Sequence, residues 1–298
     1  MLKNLLPLLL LTALALPARA LEVFSTVPEW GALAREIGGD KLNVFVATNG
    51  LQDPHHVDAK PSLIARARRA DLVVCTGAEL EIGWLPLVLR EAANARVQPG
   101  QPGYFEASRF VRMLEVPGRL DRADGDVHPD GNPHVQTDPR IYLPVGEAMA
   151  NRLADLDPAN ASAYRAGYQS FALRWRTAMA GWEKQAAPLR GQNVVAHHKS
   201  FSYLFDWLGI KEVGTLEPKP GVEPTVAYLS QLLNQTANRP PKLVVRAAYN
   251  PGRAADWFAE RAKAAEVVLP FTVGGSERAK DLFGLFDDTI DRLLKGLR

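Results

Sequence analysis

Short apolar runs alternate along this chain with stretches in which apolar residues recur every three or four positions. The first pattern is that of strands buried on both faces, the second that of helices laid against a core. Strands are predicted over residues 22–26, 42–47, 72–76, 96–97, 194–196, 211–215, 243–246 and 267–269. Helices are predicted over 30–37, 61–69, 84–93, 141–156, 201–208, 225–236, 251–264 and 281–294. This βαβα order implies mostly parallel sheets. Residues 158–187 stay helical in composition with no proline after Pro158, enough for a rod of roughly 40–45 Å at ~1.5 Å per residue. The expected architecture is α/β, with two lobes over 21–157 and 188–298 joined by one long rigid helix over 158–187 and a cleft between the lobes.

Residues 1–20 stand apart. Lys3, an apolar run over 5–16 and the small-x-small sequence Ala18-Arg19-Ala20 form the pattern of a cleaved secretory leader, too short to cross ~30 Å of hydrocarbon. Removing it takes away two bases and no acid, so 35 Lys+Arg become 33 against 33 Asp+Glu. With a formal charge of zero and no basic block, nothing points to nucleic acid. The single cysteine, Cys75, lies inside an apolar run, which reads as core packing. An exported chain without a disulfide or a cysteine after the leader is expected to be free in a periplasm.

The candidate chemistry is in six histidines grouped in three places: His55 with His56, His128 with His134, and His197 with His198. Each group falls in a loop beside a strand end or helix start, where open α/β sheets bind ligands. The middle group lies in an aperiodic acidic loop that includes Asp121, Asp124, Asp126, Asp130 and Asp138. With no cysteine available for a structural zinc site, any metal centre is built from histidine and carboxylate. Three neutral imidazoles with one oxygen ligand suit Zn²⁺ better than Mn²⁺.

These motifs resemble those of the periplasmic metal-binding receptors of zinc and manganese ABC importers. Asp53-Pro54-His55 ahead of Lys60-Pro61-Ser62 is similar to that family's first ligand motif, and Asn132-Pro133-His134 before Asp138-Pro139 to the second. His198-Lys199-Ser200-Phe201-Ser202-Tyr203-Leu204 resembles the third, and Asp157-Pro158 with Tyr164 opens the linker helix as in the family. The likeness spans essentially the whole mature chain. It implies a zinc receptor that delivers its ion to a membrane permease, acts as a monomer, performs no catalysis and moves its lobes little. His55, His134 and His198 are the implied ligands, with His56 and His197 as neighbours. Histidine in the third motif, where manganese receptors of the family resemble each other in using Glu, again points to zinc.

The likeness fails at the fourth ligand, where the family often has an Asp after the last strand. Here that strand runs on through Pro270-Phe271-Thr272-Val273 without an acid. Asp281 is the first carboxylate candidate, Glu277 the next, and water a third; Asp281 also suits a helix N-terminus. His128 reads equally as a metal-passing or a solvated loop residue. Asp53, Glu223 and backbone carbonyls are candidates to accept from the ligand imidazoles, and Arg246 to bridge across a cleft wall. The rival readings are a periplasmic zinc hydrolase or lyase with three histidines and an activated water, and a metal-dependent adhesin.

Overall fold

The computed structural model of the protein describes residues 19–118 and 128–298. The leader up to residue 18 and the acids Asp121, Asp124 and Asp126 lie outside the described residues. The first lobe runs β1 (Leu21–Ser25), α1 (Pro28–Gly38), β2 (Leu42–Val46), α2 (Pro61–Arg69), β3 (Leu72–Cys75), α3 (Leu85–Ala92) and β4 (Tyr104–Glu106). Two helices follow, α4 (Tyr142–Leu156) and α5 (Ala161–Gln185). The second lobe runs β5 (Asn193–Ala196), α6 (Ser202–Leu208), β6 (Lys211–Thr215), α7 (Val226–Thr236), β7 (Leu243–Ala247), α8 (Arg253–Ala262), β8 (Ala265–Leu269) and α9 (Leu282–Gly296). Both sheets are four-stranded and parallel, in the orders β2-β1-β3-β4 and β6-β5-β7-β8. The lobes are therefore wound alike although their sequences do not visibly repeat.

The two-residue period of the strands decides which core each side chain enters. Val23, Leu72 and Val74 face inward on the first sheet, and Val194, Ala196, Leu243 and Val245 on the second; all seven join one core that runs through both lobes. Their neighbours Phe24, Val73 and Cys75 face an outer core under α2 and α3, while Val195 and Val244 face another under α7 and α8. Cys75 is fully buried with its thiol against the Phe105 carbonyl, and burial raises its pKa well above the usual value.

Helix α5 is the rod through the shared core. Its 25 residues span ~37 Å, shorter than 158–187 because short 3-10 turns occupy Pro158–Asn160 and Ala187–Leu189. Tyr164, Phe171, Trp175 and Trp182 make one buried stripe, at the seven- and four-residue spacings that stay on one helical face. Trp175 donates through Nε1 to the Pro139 carbonyl at 2.7 Å, and Trp182 to Asp287 on α9 at 2.7 Å. Phe283 and Phe286 of α9 pack edge-on against Trp175. At the other end Gly167 lets the backbones of α5 and α1 touch, since a Cβ there would stand 2.1 Å from the Ile37 carbonyl oxygen. One helix thus grips α1 of the first lobe and α9 of the second.

One expected strand is corrected. Residues 95–97 form a 3-10 turn because Asn94 accepts from the Arg96 N–H and draws the chain into a cap. The fourth strand is Tyr104–Glu106, which pairs with β3.

Candidate metal centre

Each of the three candidate histidines is held through its Nδ1. His55 lies between β2 and α2, where Asp53 Oδ1 accepts from the His55 backbone N–H at 2.9 Å and from its ring Nδ1 at 2.8 Å. The intervening Pro54 carbonyl accepts from Trp84 Nε1 at 2.9 Å, which pins the loop to the start of α3. Residues 132–134 repeat the device: Asn132 Oδ1 accepts from the His134 N–H at 2.9 Å and from Nδ1 at 2.8 Å. The Asn132 amide nitrogen donates to Glu115 and to the Lys199 carbonyl, each at 2.8 Å, so it is the oxygen that faces the imidazole. His198 follows β5 and sets Nδ1 against Glu217 Oε2 at 2.7 Å. Glu217, two residues past β6, is steadied by the Gly221 N–H at 2.9 Å. An acceptor on Nδ1 keeps the proton there and leaves the Nε2 lone pair free for a metal.

The free nitrogens converge. Among the described residues, His55, His134 and His198 form a group whose ligand atoms all lie within 4.8 Å of one another. Around one ion with ~2.0–2.1 Å bonds, nitrogens stand roughly 3.4 Å apart in a tetrahedron, so small ring movements close the cage. His55 Nε2 and His134 Nε2 are buried without a hydrogen-bond partner, a costly state for imidazole nitrogen unless something occupies the space between them. Burial first, and the neighbouring imidazoles second, hold His134 well below the usual histidine pKa. It is therefore neutral and ready to donate a lone pair at neutral pH.

The third motif also bolts the second in place. Tyr203 donates its hydroxyl to the Asn132 carbonyl at 2.7 Å and accepts from the Leu114 N–H at 3.0 Å, and Lys199 pairs with Glu115. The run after His198 is thus the framework that fixes His134.

His128 stands on a further side of the cage. Its Nε2 is buried without a partner, its ring is 5.5 Å from that of His55, and burial with His55 and His198 nearby pushes its pKa down to about 4. It lines a cavity of about 190 Å³ with Asn132, His134, His198 and Pro220. His56 is exposed. His197 is buried, donates its backbone N–H to Val245 at 2.7 Å and lies 3.7 Å from Glu217.

Asp281 does not join the cluster, which corrects the expected fourth ligand. Its Oδ1 accepts from the Gly284 N–H at 2.8 Å as the N-cap of α9, and the residue is exposed, as is Glu277. Asp53 holds an imidazole as considered, while Glu223 is exposed and Glu217 takes the place it was considered for. The signal for Glu217 was its position at the carboxyl end of a strand. Arg246 bridges to Glu266 on the neighbouring strand and donates to the Asn250 carbonyl at 3.0 Å.

Two like-wound lobes around a cage of free imidazole nitrogens define a metal-binding protein of the two-lobed type. The chain belongs to the family of the periplasmic zinc-uptake complex component A, ZnuA, which matches residues 23–296. The high-affinity zinc uptake system protein ZnuA of Bacillus subtilis is 22% identical over 267 residues, covering 88% of this chain and 81% of that protein. The manganese ABC transporter substrate-binding lipoprotein scaA of Streptococcus gordonii is 24% identical over 139 residues, 47% of this chain and less than half, 43%, of that relative. A crystal structure of ZnuA superposes with a TM-score of 0.77 at 20% identity, over 94% of this chain and all of that one. The manganese-bound periplasmic metal-binding protein of Candidatus Liberibacter asiaticus superposes at 0.75 with 18% identity, over 93% and 99% of the two chains. These superpositions show the same two-lobed fold.

Proposed function

We propose that the chain captures a zinc ion in the periplasm between His55, His134 and His198 and delivers it to the permease of an ABC importer. The convergence of three Nε2 lone pairs, each fixed by an acceptor behind it, carries this reading. Zinc is favoured over manganese because the donors are neutral imidazoles and no carboxylate belongs to the group, whereas manganese sites lean on carboxylate and water. His128, outside that group of three but lining the same cavity, is the candidate for the fourth position in place of Asp281, since its buried Nε2 has no hydrogen-bond partner.

An enzyme of the zinc hydrolase kind needs a free carboxylate or imidazole as general base beside a metal-bound water. Among the described residues, Asp53 and Glu217 are engaged with ligand imidazoles and Glu115 with Lys199. Residues 1–20 serve as a cleaved leader, and no described helix is long and apolar enough to cross a membrane. The lobes, 21–157 and 188–298, share one core around the 158–187 connection, which favours loading by local loop movement in a monomer.

The deciding experiment is metal titration of residues 21–298 with zinc competing against manganese and bound ions counted by native mass spectrometry. One tight zinc per chain, indifferent to excess manganese and lost in His198→Ala, is expected. Equal preference for manganese would overturn the zinc assignment, and no stoichiometric binding would overturn the receptor reading.

A further inference from the structure

A second concavity lies beside the metal cavity, at the edge strand β4 and helix α3. It encloses about 310 Å³, larger than the 190 Å³ above the histidines. Ile82, Leu85 and Leu89 give it an apolar floor, and Glu79, Glu106 and Asp130 an acidic rim. Among the described residues no lysine or arginine lines it. Glu106 is paired with Arg109, but among the described residues Glu79 and Asp130 have no ion-pair partner.

The groove is held open at a conformational cost. Gly77, Ala78 and Glu79 have φ of 79°, 48° and 65°, and the left-handed region costs an ordinary residue ~1–2 kcal/mol. The buried Glu81 carboxylate fixes that turn by accepting from the Thr76 and Gly77 N–H groups at 2.8 and 3.1 Å. The turn presents Glu79 at the rim and leaves Ile82 61% exposed. Leu51 and Val222, also exposed, sit on the loops after β2 and β6. Large apolar residues thus surround the metal-bearing face, an arrangement that marks a contact surface.

We infer that this groove docks a segment of the membrane permease that is apolar in body and carries an arginine or lysine. Charge complementarity selects the cation: an apolar slot whose rim carries Glu79 and Asp130 without an ion-pair partner among the described residues suits a guanidinium or ammonium on an apolar stem. The inference rests on the receptor reading above and adds the chemistry of its partner. Asp130 is in the groove wall while His128, two residues earlier, lines the metal cavity, so the groove adjoins the metal site.

The test uses a strain lacking this chain, complemented with full-length variants and grown on limiting zinc, with zinc affinity and thermal unfolding of each purified variant measured in parallel. The double variant Glu79→Lys/Asp130→Lys is expected to keep its fold and its zinc affinity to within about twofold. It should deliver zinc at least about tenfold more slowly, because like charges then face each other across the contact. Ile82→Glu should fail in the same direction, and Glu260→Lys on the outer face of α8 should behave as the parent. Parental delivery by the double variant would overturn the inference, and so would a loss of zinc affinity as large as the loss of delivery. Failure of the receptor reading looks different: the parent chain itself would neither bind zinc nor restore growth.

Discussion

Two clusters of buried ionisable side chains occupy the seam between the lobes, and they are built in opposite ways. In the histidine cage, Asp53, Asn132 and Glu217 take the Nδ1 protons and leave lone pairs aimed at one open space. In the acid cluster, Glu81 is saturated by Thr26, Thr76 and Gly77 at 2.7–3.1 Å, and Glu29 accepts from Thr272 of the opposite lobe. Among the described residues no lysine or arginine reaches either acid. Burial, only partly offset by the Thr272 hydroxyl and a backbone hydrogen bond and reinforced by Glu81, pushes Glu29 up to about 7. Burial alone does not make a cation site. Access and the direction of the lone pairs do, and only the histidine cluster has both.

The comparison breaks most sharply at the cage. His55→Ala, His134→Ala and His198→Ala should each weaken zinc binding by at least about a hundredfold, if a gross ~10–16 kcal/mol is shared among four ligands. Isothermal competition with a chelator reads this, and near-parental affinity in any variant removes that residue from the site. Glu29→Gln should leave zinc affinity alone and change stability in a pH-dependent way. Glu29 has a folded pKa of about 7 against an ordinary 4.5, so the folded chain holds the proton more tightly. The parent keeps that contribution below pH 4.5 and loses it as the pH rises through 7. The glutamine variant has no such loss, so its advantage over the parent should grow from pH 5 to pH 8, to a few kcal/mol. A difference in unfolding free energy that is flat with pH would show that Glu29 is not carried as a neutral acid.

What was legible in the sequence was what is local. The turns at Asp53-Pro54-His55 and Asn132-Pro133-His134 carry their own acceptor two residues before the histidine, so motif and geometry coincide. Strand alternation was legible for the same reason, since inward and outward faces follow from a two-residue period. Long-range partners were not. Glu217 reaches His198 across 19 residues and Glu29 reaches Thr272 across 243, and neither has a neighbour in sequence that announces the contact. Glu29 after Pro28 reads simply as an acid in a first helical turn. The three residues of β4 are too few for a period and become a strand only through pairing with β3. Glu217→Ala sharpens this point: zinc affinity should fall about 10–100-fold, less than for the ligand it holds. An unchanged affinity would mean that the Nδ1 partner of His198 is dispensable.

The smallest effect separates the two uses considered for Asp281, helix cap and metal ligand. Asp281 caps α9 by accepting from the Gly284 N–H at 2.8 Å, and its carboxylate is exposed. Asp281→Ala should therefore cost about 0.5–2 kcal/mol of stability, the range for losing an N-cap, and leave the zinc affinity as it was. Asp281→Asn, which keeps a side-chain oxygen for the cap, should recover most of that stability. Denaturant unfolding of the metal-free chain gives the first quantity and chelator competition the second. If instead Asp281→Asn loses zinc affinity while keeping its stability, the carboxylate charge has a part in the metal site that the cap does not explain, and the open side of the cage belongs to Asp281 rather than to His128.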